Sequence, residues 1–472
     1  MKIFGTAGIR GLYPHVVNPF FALRLGVAIG KLGLSKRSLV VYDTRKTSPL
    51  LSYSLISGLL STGMEVVMAG LAPTPVVAYG ARKHRGVGIS VTASHNPPEY
   101  NGFKLYDPEG YEFTRSLEAR IEEFLGMDLT IPPWYEVAEA VWYEGLRKEY
   151  LEDILGRLKT RGNELGSGER SKYRVVVDCA GGATYQLAPL IVKELGGKPL
   201  NVNCSPDPDF VMRSPEPRKD VLESFFETYI SFKPLAVFAL DGDGDRLSVL
   251  DPKLGFIRQD RLLALFAKLI LPEKKGRIIV SIDTGRVVDE VVEQVGGTVE
   301  RYVLGKTHER VKELGEENVA MAGEPWKLID TRWGPWVDGL WQLGLLTSLI
   351  IERGKTIGEI LLDEKIPDYP WGRVSYLIEP SALRDKMYFE VVEELKGELG
   401  EPARIIDIDG TRFEYPDESW VLVRKSGTEP KLRFYFEAKN RDRIFAIERG
   451  IDRIITRIAE KMGAKIISKT IG

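Results

Sequence analysis

Two cysteines, four histidines and four glutamines in 472 residues exclude several kinds of chemistry. Cys179 and Cys204 argue against a disulfide framework or a cysteine-built metal site, so both are read as structural. Histidine is limited to His15, His84, His95 and His308. His95 adjoins Ser94, but neighbours on an extended chain point to opposite sides, which makes no ready nucleophile and base pair. With no Gly-x-Ser-x-Gly elbow either, serine hydrolysis ranks low. No apolar run approaches the roughly 18 residues that span a bilayer, and MKIFGTAGIRG lacks the apolar core of a signal peptide, so a cytoplasmic protein with no membrane partner is expected. Sixty-five basic against 67 acidic residues give a net charge of -2, no field for nucleic acid. Scarce glutamine beside abundant Lys, Arg and Glu is a bias reported for heat-adapted proteins.

What is present is an ordinary globular composition in a chain too long for one core; roughly 100 to 200 residues per domain suggests about three or four units. Short β-branched runs alternate with amphipathic helices, the pattern of α/β layers. SLVVYD reads as a strand, and Ser48-Pro49 as a cap followed by proline at the first helical position. The pattern returns at YRVVVDCAGG, at LAVFALDGDGDR and at GRIIVSIDTG. After Pro370, RVSYLIEP, RIIDIDGTRFEYPDESWVLVRKSG and LRFYFEAK alternate like half-buried antiparallel strands. The expected boundaries are 1–150, 151–252, 253–370 and 371–472, three similar α/β domains with mixed sheets and a C-terminal α+β domain.

Three stretches carry candidate chemistry. In VTASHNPPEYNGFKLY a β-friendly run delivers Ser94 into a loop held by Pro97-Pro98, with Lys104 ten residues on; an ordinary surface turn is the bland alternative. DGDGDR places Asp241, Asp243 and Asp245 close together, where they repel one another unless a cation neutralises them. An EF-hand fails, because Arg246 and Pro252 stand where glycine and glutamate are needed. A second reading remains open at this point, in which Asp241 after its buried strand is an aspartyl nucleophile for phosphate. RKSGTEPKLRFYFEA offers the hydroxyls and N–H groups of Ser426, Gly427 and Thr428 with the forked donors of Arg424 and Arg433, a set that matches phosphate. FGTAGIRG adds Arg10 on a glycine-rich loop.

TASHNPPEYNGFK, DGDGDR and RKSGTEP, in this order and preceded by FGTAGIRG, resemble the active-serine, metal-binding and phosphate-binding loops of the α-D-phosphohexomutase superfamily. The resemblance runs from the first residues to the last domain. It implies four domains around a central cleft, a phosphorylated Ser94, and Mg²⁺ held by Asp241, Asp243, Asp245 and a phosphoserine oxygen. It also implies the activity: hexose 6-phosphate and hexose 1-phosphate interconvert through a sugar 1,6-bisphosphate, which in catalytic amounts is the activator. Arg424, Ser426, Gly427, Thr428 and Arg433 then grip the idle phosphate, and Arg10 and Arg246 steady the reacting one. Lys104 takes the family's position for a proton-shuttling or phosphate-contacting lysine, and His95 stays in the candidate catalytic set as the neighbour of Ser94.

One loop departs from the family pattern. Where many members carry Gly-Glu-x-Ser-Gly-His, this chain has GEPWKLID. Glu324 is kept, while Trp326 and Leu328 replace the serine and histidine, which leaves Lys104, Lys327 or His308 for any base drawn from that histidine. Glu324, Trp326 and Lys327 are the candidate sugar contacts; Trp326, Trp333 and Trp336 either pack the loop or stack on the sugar. EPWKLI and GPW resemble the archaeal phosphoglucosamine mutases, so glucosamine 6-phosphate is the expected substrate, with a phosphomannomutase or phosphoglucomutase as alternative. An aspartyl-phosphate phosphatase and an inactive sugar-phosphate-binding protein are the rivals from other classes. The expected assembly is a monomer or small homo-oligomer.

Overall fold

The computed structural model describes residues 3–5, 8–158, 172–426 and 429–471. Thr6 and Ala7 of the FGTAGIRG start, and Gly427 and Thr428 of the phosphate-binding candidate, lie outside them.

The first sheet contains β1 (Ile9–Leu12), β2 (Arg37–Tyr42), β3 (Glu65–Leu71), β4 (Val87–Val91), β5 (Tyr100–Tyr106) and β6 (Ala140–Trp142), in the spatial order β1-β5-β4-β2-β3-β6. β2 runs parallel to β3 and β4, and β5 returns antiparallel to β4, so the sheet is mixed. The turn between β4 and β5 carries Ser94. The helix Ser48–Leu60 has Thr47 as its cap, not Ser48, and the Ser48 hydroxyl donates to the Asp43 carboxylate at 2.6 Å. A buried carboxylate is the stronger acceptor and draws the hydroxyl away from the helix start.

The second sheet holds β7 (Arg174–Asp178), β8 (Lys198–Val202), β9 (Ala236–Leu240), β10 (Leu247–Asp251) and β11 (Gly255–Phe256), ordered β11-β10-β9-β7-β8. DGDGDR is the tight turn between antiparallel β9 and β10. The third sheet is β12 (Arg277–Ser281), β13 (Thr298–Tyr302), β14 (Val319–Glu324) and β15 (Lys327–Asp330), ordered β13-β12-β14-β15. The fourth is antiparallel: β16 (Trp371–Glu379), β17 (Arg404–Asp407), β18 (Thr411–Glu414), β19 (Trp420–Lys425), β20 (Lys431–Glu437) and β21 (Lys465–Ile471), ordered β17-β18-β19-β20-β16-β21. Its apolar face is covered by the helices Arg384–Glu398 and Arg441–Met462. The four units match the expected fold class, with mixed α/β sheets first and an antiparallel α+β unit last.

One continuous apolar core runs through the first three units, from Leu39 through Val177 and Phe238 to Leu340 and Ile360. The fourth has a core of its own around Val374, Phe434 and Ile454. Its junction with the third joins a small apolar cluster, Ile282 with Trp420, Leu422 and Tyr435, to polar contacts: Arg412 donates to the carbonyls of Ile282 and Thr284 at 2.9 and 2.8 Å, and Arg258 pairs with Glu437 at 2.5 Å.

Two cysteines argue against a disulfide framework, yet the structure joins Cys179 to Cys204, with Cα atoms 4.9 Å apart. The pairing follows from register. Asp178 faces Val202 across parallel β7 and β8, so the chain leaves both strands side by side. No helix among the described residues is long and apolar enough to cross a membrane.

Candidate active site

Ser94 is fully buried with φ at 53°, in the left-handed region that side chains rarely adopt. Its N–H donates to Thr92 Oγ1 at 2.8 Å and its Oγ to Asp241 Oδ2 at 2.7 Å. Because the backbone here is turned and not extended, the expectation that Ser94 and His95 diverge fails: His95 Nδ1 lies 3.3 Å from Ser94 Oγ. Arg10 Nη1 approaches the same ring nitrogen at 3.4 Å and donates to Asn96 Oδ1 at 3.1 Å. Burial, and then the charges of Arg246 and Arg10, hold the His95 imidazole far below its ordinary value, so it is neutral at neutral pH.

The strained loop is held by a residue that the sequence reading missed. Arg45 is buried, pairs with Asp43 at 3.0 Å, and donates to four carbonyls of the serine loop: Ser94 at 3.0 Å, Asn96 at 2.6 Å, Pro97 at 2.5 Å and Tyr100 at 3.0 Å. Asp43 also accepts from Thr92 Oγ1 at 2.7 Å. The signal in VYDTR is an acid and an arginine directly after a buried strand. That β2 lies beside β4 is what gives it meaning, and strand order is not written in one sequence.

The aspartates converge on the same point. Asp241, Asp243 and Asp245 are buried, and each offers a carboxylate oxygen within 4.8 Å of the others. Asp241 Oδ1 accepts from the N–H groups of Gly244 and Arg246 at 3.0 and 3.2 Å. Asp243 Oδ2 accepts from Thr74 Oγ1 at 2.5 Å and from Lys104 Nζ at 2.7 Å, and Lys104 also pairs with Asp245. Among the described residues Asp243 Oδ1 and Asp245 Oδ1 are buried without a hydrogen-bond partner. Burial, with Asp243 and Asp245 alongside, pushes the Asp241 carboxyl well above the usual range. Burial opposes charge on Lys104 too, but Asp243 and Asp245 overcome it and keep the ammonium protonated. Three hard carboxylate donors, with two buried oxygens that lack hydrogen-bond partners among the described residues, fit a small divalent cation that would relieve this repulsion.

The two loops require glycine at their contact. A Cβ on Gly242 would sit 2.7 Å from the Ser94 carbonyl, and one on Gly182 2.5 Å from the Gly242 carbonyl. Arg246 pairs with Glu216 at 3.3 Å, and its Nε, 3.9 Å from Asp245 Oδ1, like the Nε of Arg10 is buried without a hydrogen-bond partner among the described residues. The structure thus brings Ser94, His95, Lys104, Arg10, Arg246 and the three aspartates together.

Glu324 uses Oε1 to accept from Gly305 N, Thr307 N and Thr307 Oγ1 at 3.0, 3.3 and 2.8 Å, which satisfies the start of the helix Thr307–Leu314. Its Oε2 lies 3.8 Å from Lys327 Nζ. His308, on that helix, is buried with Nε2 unpartnered among the described residues. Trp333 and Trp336 resolve to packing. Trp333 stacks at 5.6 Å on Tyr79 and at 5.1 Å on Trp341, and Asp338 accepts from both indoles.

In the fourth sheet Arg424 and Arg433 stand directly opposite each other on β19 and β20, an arrangement that repels in the absence of an anion. Arg433 donates to Ser426 Oγ at 3.0 Å, and Arg424 pairs with Asp409 at 2.5 Å while its Nε is buried and unpartnered among the described residues. Arg384, also missed in the sequence, donates to the Ser426 carbonyl at 2.9 Å. Asp283, whose carboxyl is raised by burial, feels both Arg424 and Glu324, so the sugar-loop and phosphate-loop candidates lie within electrostatic reach of one another.

Residues 1–128 and 148–255 match alpha/beta/alpha domains I and II of phosphoglucomutase/phosphomannomutase, and 381–454 its C-terminal domain. The phosphopentomutase of Thermococcus kodakarensis is 37% identical over 98% of this chain and 100% of its own. A probable phosphoglucosamine mutase of Methanopyrus kandleri is 35% identical over 98% and 99%. Among solved structures, a phosphoglucomutase/phosphomannomutase family protein of Burkholderia thailandensis superposes with a TM-score of 0.84 at 26% identity, covering 98% of both chains.

Proposed function

This chain belongs to the phosphoglucomutase/phosphomannomutase family of the α-D-phosphohexomutase superfamily, isomerases that act as intramolecular phosphotransferases, and from that premise we propose that Ser94 carries the phosphoryl group it transfers. The observation that carries the reading is the contact of Ser94 Oγ with Asp241, beside two buried carboxylate oxygens that lack partners among the described residues. In the forward step the Ser94 Oγ–P bond breaks, a P–O bond forms to the free hydroxyl of the sugar monophosphate, that hydroxyl gives its proton to a cleft base, and the freed Ser94 Oγ takes up a proton along its contact with Asp241. The resulting 1,6-bisphosphate turns around and returns its other phosphate to Ser94, whose hydroxyl proton leaves along its hydrogen bond to Asp241 while the oxygen freed on the sugar recovers the proton held by the cleft base. Asp241, Asp243, Asp245 and the Ser94 oxygen would hold Mg²⁺, which neutralises charge on the transferring phosphoryl group. Arg10 and Arg246 steady that group; Arg424, Ser426 and Arg433, with Gly427 and Thr428 outside the described residues, grip the idle phosphate. Of the candidate bases, Lys104 is held charged by its aspartates and Lys327 faces Glu324, so His308, whose Nε2 has no hydrogen-bond partner among the described residues, is the assignment.

For the sugar, EPWKLI and GPW support glucosamine 6-phosphate. A pentose phosphate is the second reading, favoured by one observation: Trp326, Lys327 and Leu328 add bulk and put two donor-only side chains and an apolar one where Ser-Gly-His stands in many members, and the relative named phosphopentomutase is 37% identical. An aspartyl phosphatase is disfavoured because both Asp241 oxygens are engaged, one by backbone N–H groups and one by Ser94. We place the enzyme in the cytoplasm with a small phosphosugar as its partner, as a monomer or small homo-oligomer. Turnover of glucosamine, glucose, mannose and ribose phosphates, side by side with a catalytic amount of 1,6-bisphosphate, tests the proposal. Isomerisation that excess chelator abolishes supports it, and release of inorganic phosphate without isomerisation overturns it.

A further inference from the structure

The guanidinium of Arg45 has every N–H donor engaged. Nε bonds Asp43 Oδ2, Nη1 the carbonyls of Pro97 and Tyr100, and Nη2 those of Ser94 and Asn96. Such bonds leave the rim of a planar group and fix it within its own plane, so its faces are the directions in which it can slip. Arg45 Cζ lies over the ring of Phe210, 5.0 Å from the centroid and within cation–π range. Phe210 belongs to the stretch between β8 and β9 of the second sheet, whereas Arg45 follows β2 of the first. The ring also adjoins Gly242: a Cβ there would come 3.3 and 3.4 Å from Phe210 Cζ and Cε1, and 2.7 Å from the Ser94 carbonyl. Phe210, Arg45, Gly242 and the Ser94 backbone thus pack as one group.

The backbone is strained to put the ring there. Phe210 is buried and adopts φ of 50°, in the region that favours glycine. Asp207 imposes the turn: its carboxylate accepts from the N–H groups of Asp209 and Val211 at 3.0 and 2.8 Å, on either side of Phe210, and its own N–H donates to the Gly181 carbonyl at 2.8 Å. Buried Arg213 then ties the outgoing chain to Asp178 at 3.0 Å and to the Leu240 carbonyl at 2.8 Å, directly before the aspartate loop. A phenylalanine that needed only burial would not require this turn, which sets its ring against one guanidinium.

We propose that Phe210 is a positioning residue for phosphoryl transfer: its ring closes a face of Arg45, and Arg45 so fixed keeps the four loop carbonyls, and with them Ser94 at its positive φ, opposite Asp241. This rests on the mutase reading above. Phe210 acts through the loop and offers no polar atom to a substrate, so its loss should misplace the reacting oxygen without weakening the grip on the sugar phosphate.

The probe is whichever of glucosamine 6-phosphate, glucose 6-phosphate, mannose 6-phosphate and ribose 5-phosphate the wild type isomerises fastest, with a catalytic amount of the matching bisphosphate. Phe210→Leu keeps an apolar side chain and loses the ring; kcat is expected to fall about 10- to 100-fold with KM within about twofold. Cys204→Ser, in the same stretch of chain, is the control for plain destabilisation and should change neither by more than about twofold. In an Arg45→Lys background, where the planar fork is gone, Phe210→Leu should cost less than about twofold further. Should Phe210→Leu not fold, Phe210→Met, which fills the space with a flexible chain, takes its place. A raised KM at unchanged kcat, a kcat loss no larger than that of Cys204→Ser, or a full loss repeated in the Arg45→Lys background overturns the proposal. A wild type that isomerises none of the four sugars strikes the mutase reading instead, before any variant is compared.

Discussion

The two ends of the proposed site, the Ser94 loop and the Arg424 loop, are built differently. The Ser94 end rests on a core shared by three units and is cross-tied at every step: Arg45 fixes the loop carbonyls, Asp43 fixes Arg45, and Gly242 packs on the serine backbone. The Arg424 end sits on a sheet with its own core, and its two arginines face each other across strands with Asp409 as a partial counter-ion. Bond-making chemistry demands fixed geometry, whereas a grip that must take either end of a sugar has only to supply charge and forked donors. The difference in construction fits the difference between the proposed tasks.

Breaking the fixed end should cost most. Ser94→Ala removes the hydroxyl that carries phosphate, and kcat is expected to fall by several orders of magnitude. Intact mass and peptide mapping after incubation with the sugar 1,6-bisphosphate check the cause: wild type gains one phosphate on the TASHNP peptide and the variant none. Label found on the DGDGDR peptide would make Asp241 the nucleophile. Breaking the adaptable end should cost less. Arg424→Ala loses a charge-assisted contact to the idle phosphate, so KM should rise about 10- to 100-fold for every phosphosugar alike. A variant that discriminates newly between sugars at unchanged KM would show that the loop reads the ring, and the contrast between the two ends would collapse.

The two ends were also unequally legible in the sequence. Ser94 and the three aspartates could be found because their chemistry is local: a serine after a strand, three acids in five residues. The alternation after Pro370 likewise announced an antiparallel sheet. Arg45, Arg384 and the Arg424–Asp409 pair act across strands and loops far apart in sequence, and no single-chain pattern encodes which loops meet. The Ser94–His95 pair was misjudged for a related reason: divergence holds for extended backbone, and the positive φ of Ser94 becomes visible only in the fold. The disulfide escaped because a count of cysteines carries no information about β7 lying beside β8.

The Cys179–Cys204 link offers the smallest and most discriminating test of how the fixed end is fixed. It closes a loop with a sequence separation of 25, for which restriction of the unfolded chain is worth about 3 kcal/mol. Beyond it the chain turns through Ala180 and Gly181, both at positive φ, and Ala183 N then donates to the Gly242 carbonyl at 2.9 Å. The backbone bonds from this turn, including Cys179 N to Val202 O at 3.1 Å and Gly181 N to Asn203 O at 2.7 Å, survive loss of the sulfur link. Cys204→Ser should therefore lower the thermal midpoint by several degrees, as expected for a stabilising cross-link. At moderate temperature kcat and the Mg²⁺ dependence should stay within about twofold of wild type, because the aspartates keep their own hydrogen bonds. The opposite split, an unchanged midpoint with weakened Mg²⁺ activation, would mean that the link positions the aspartate loop and that the backbone bonds around Gly242 alone do not hold it.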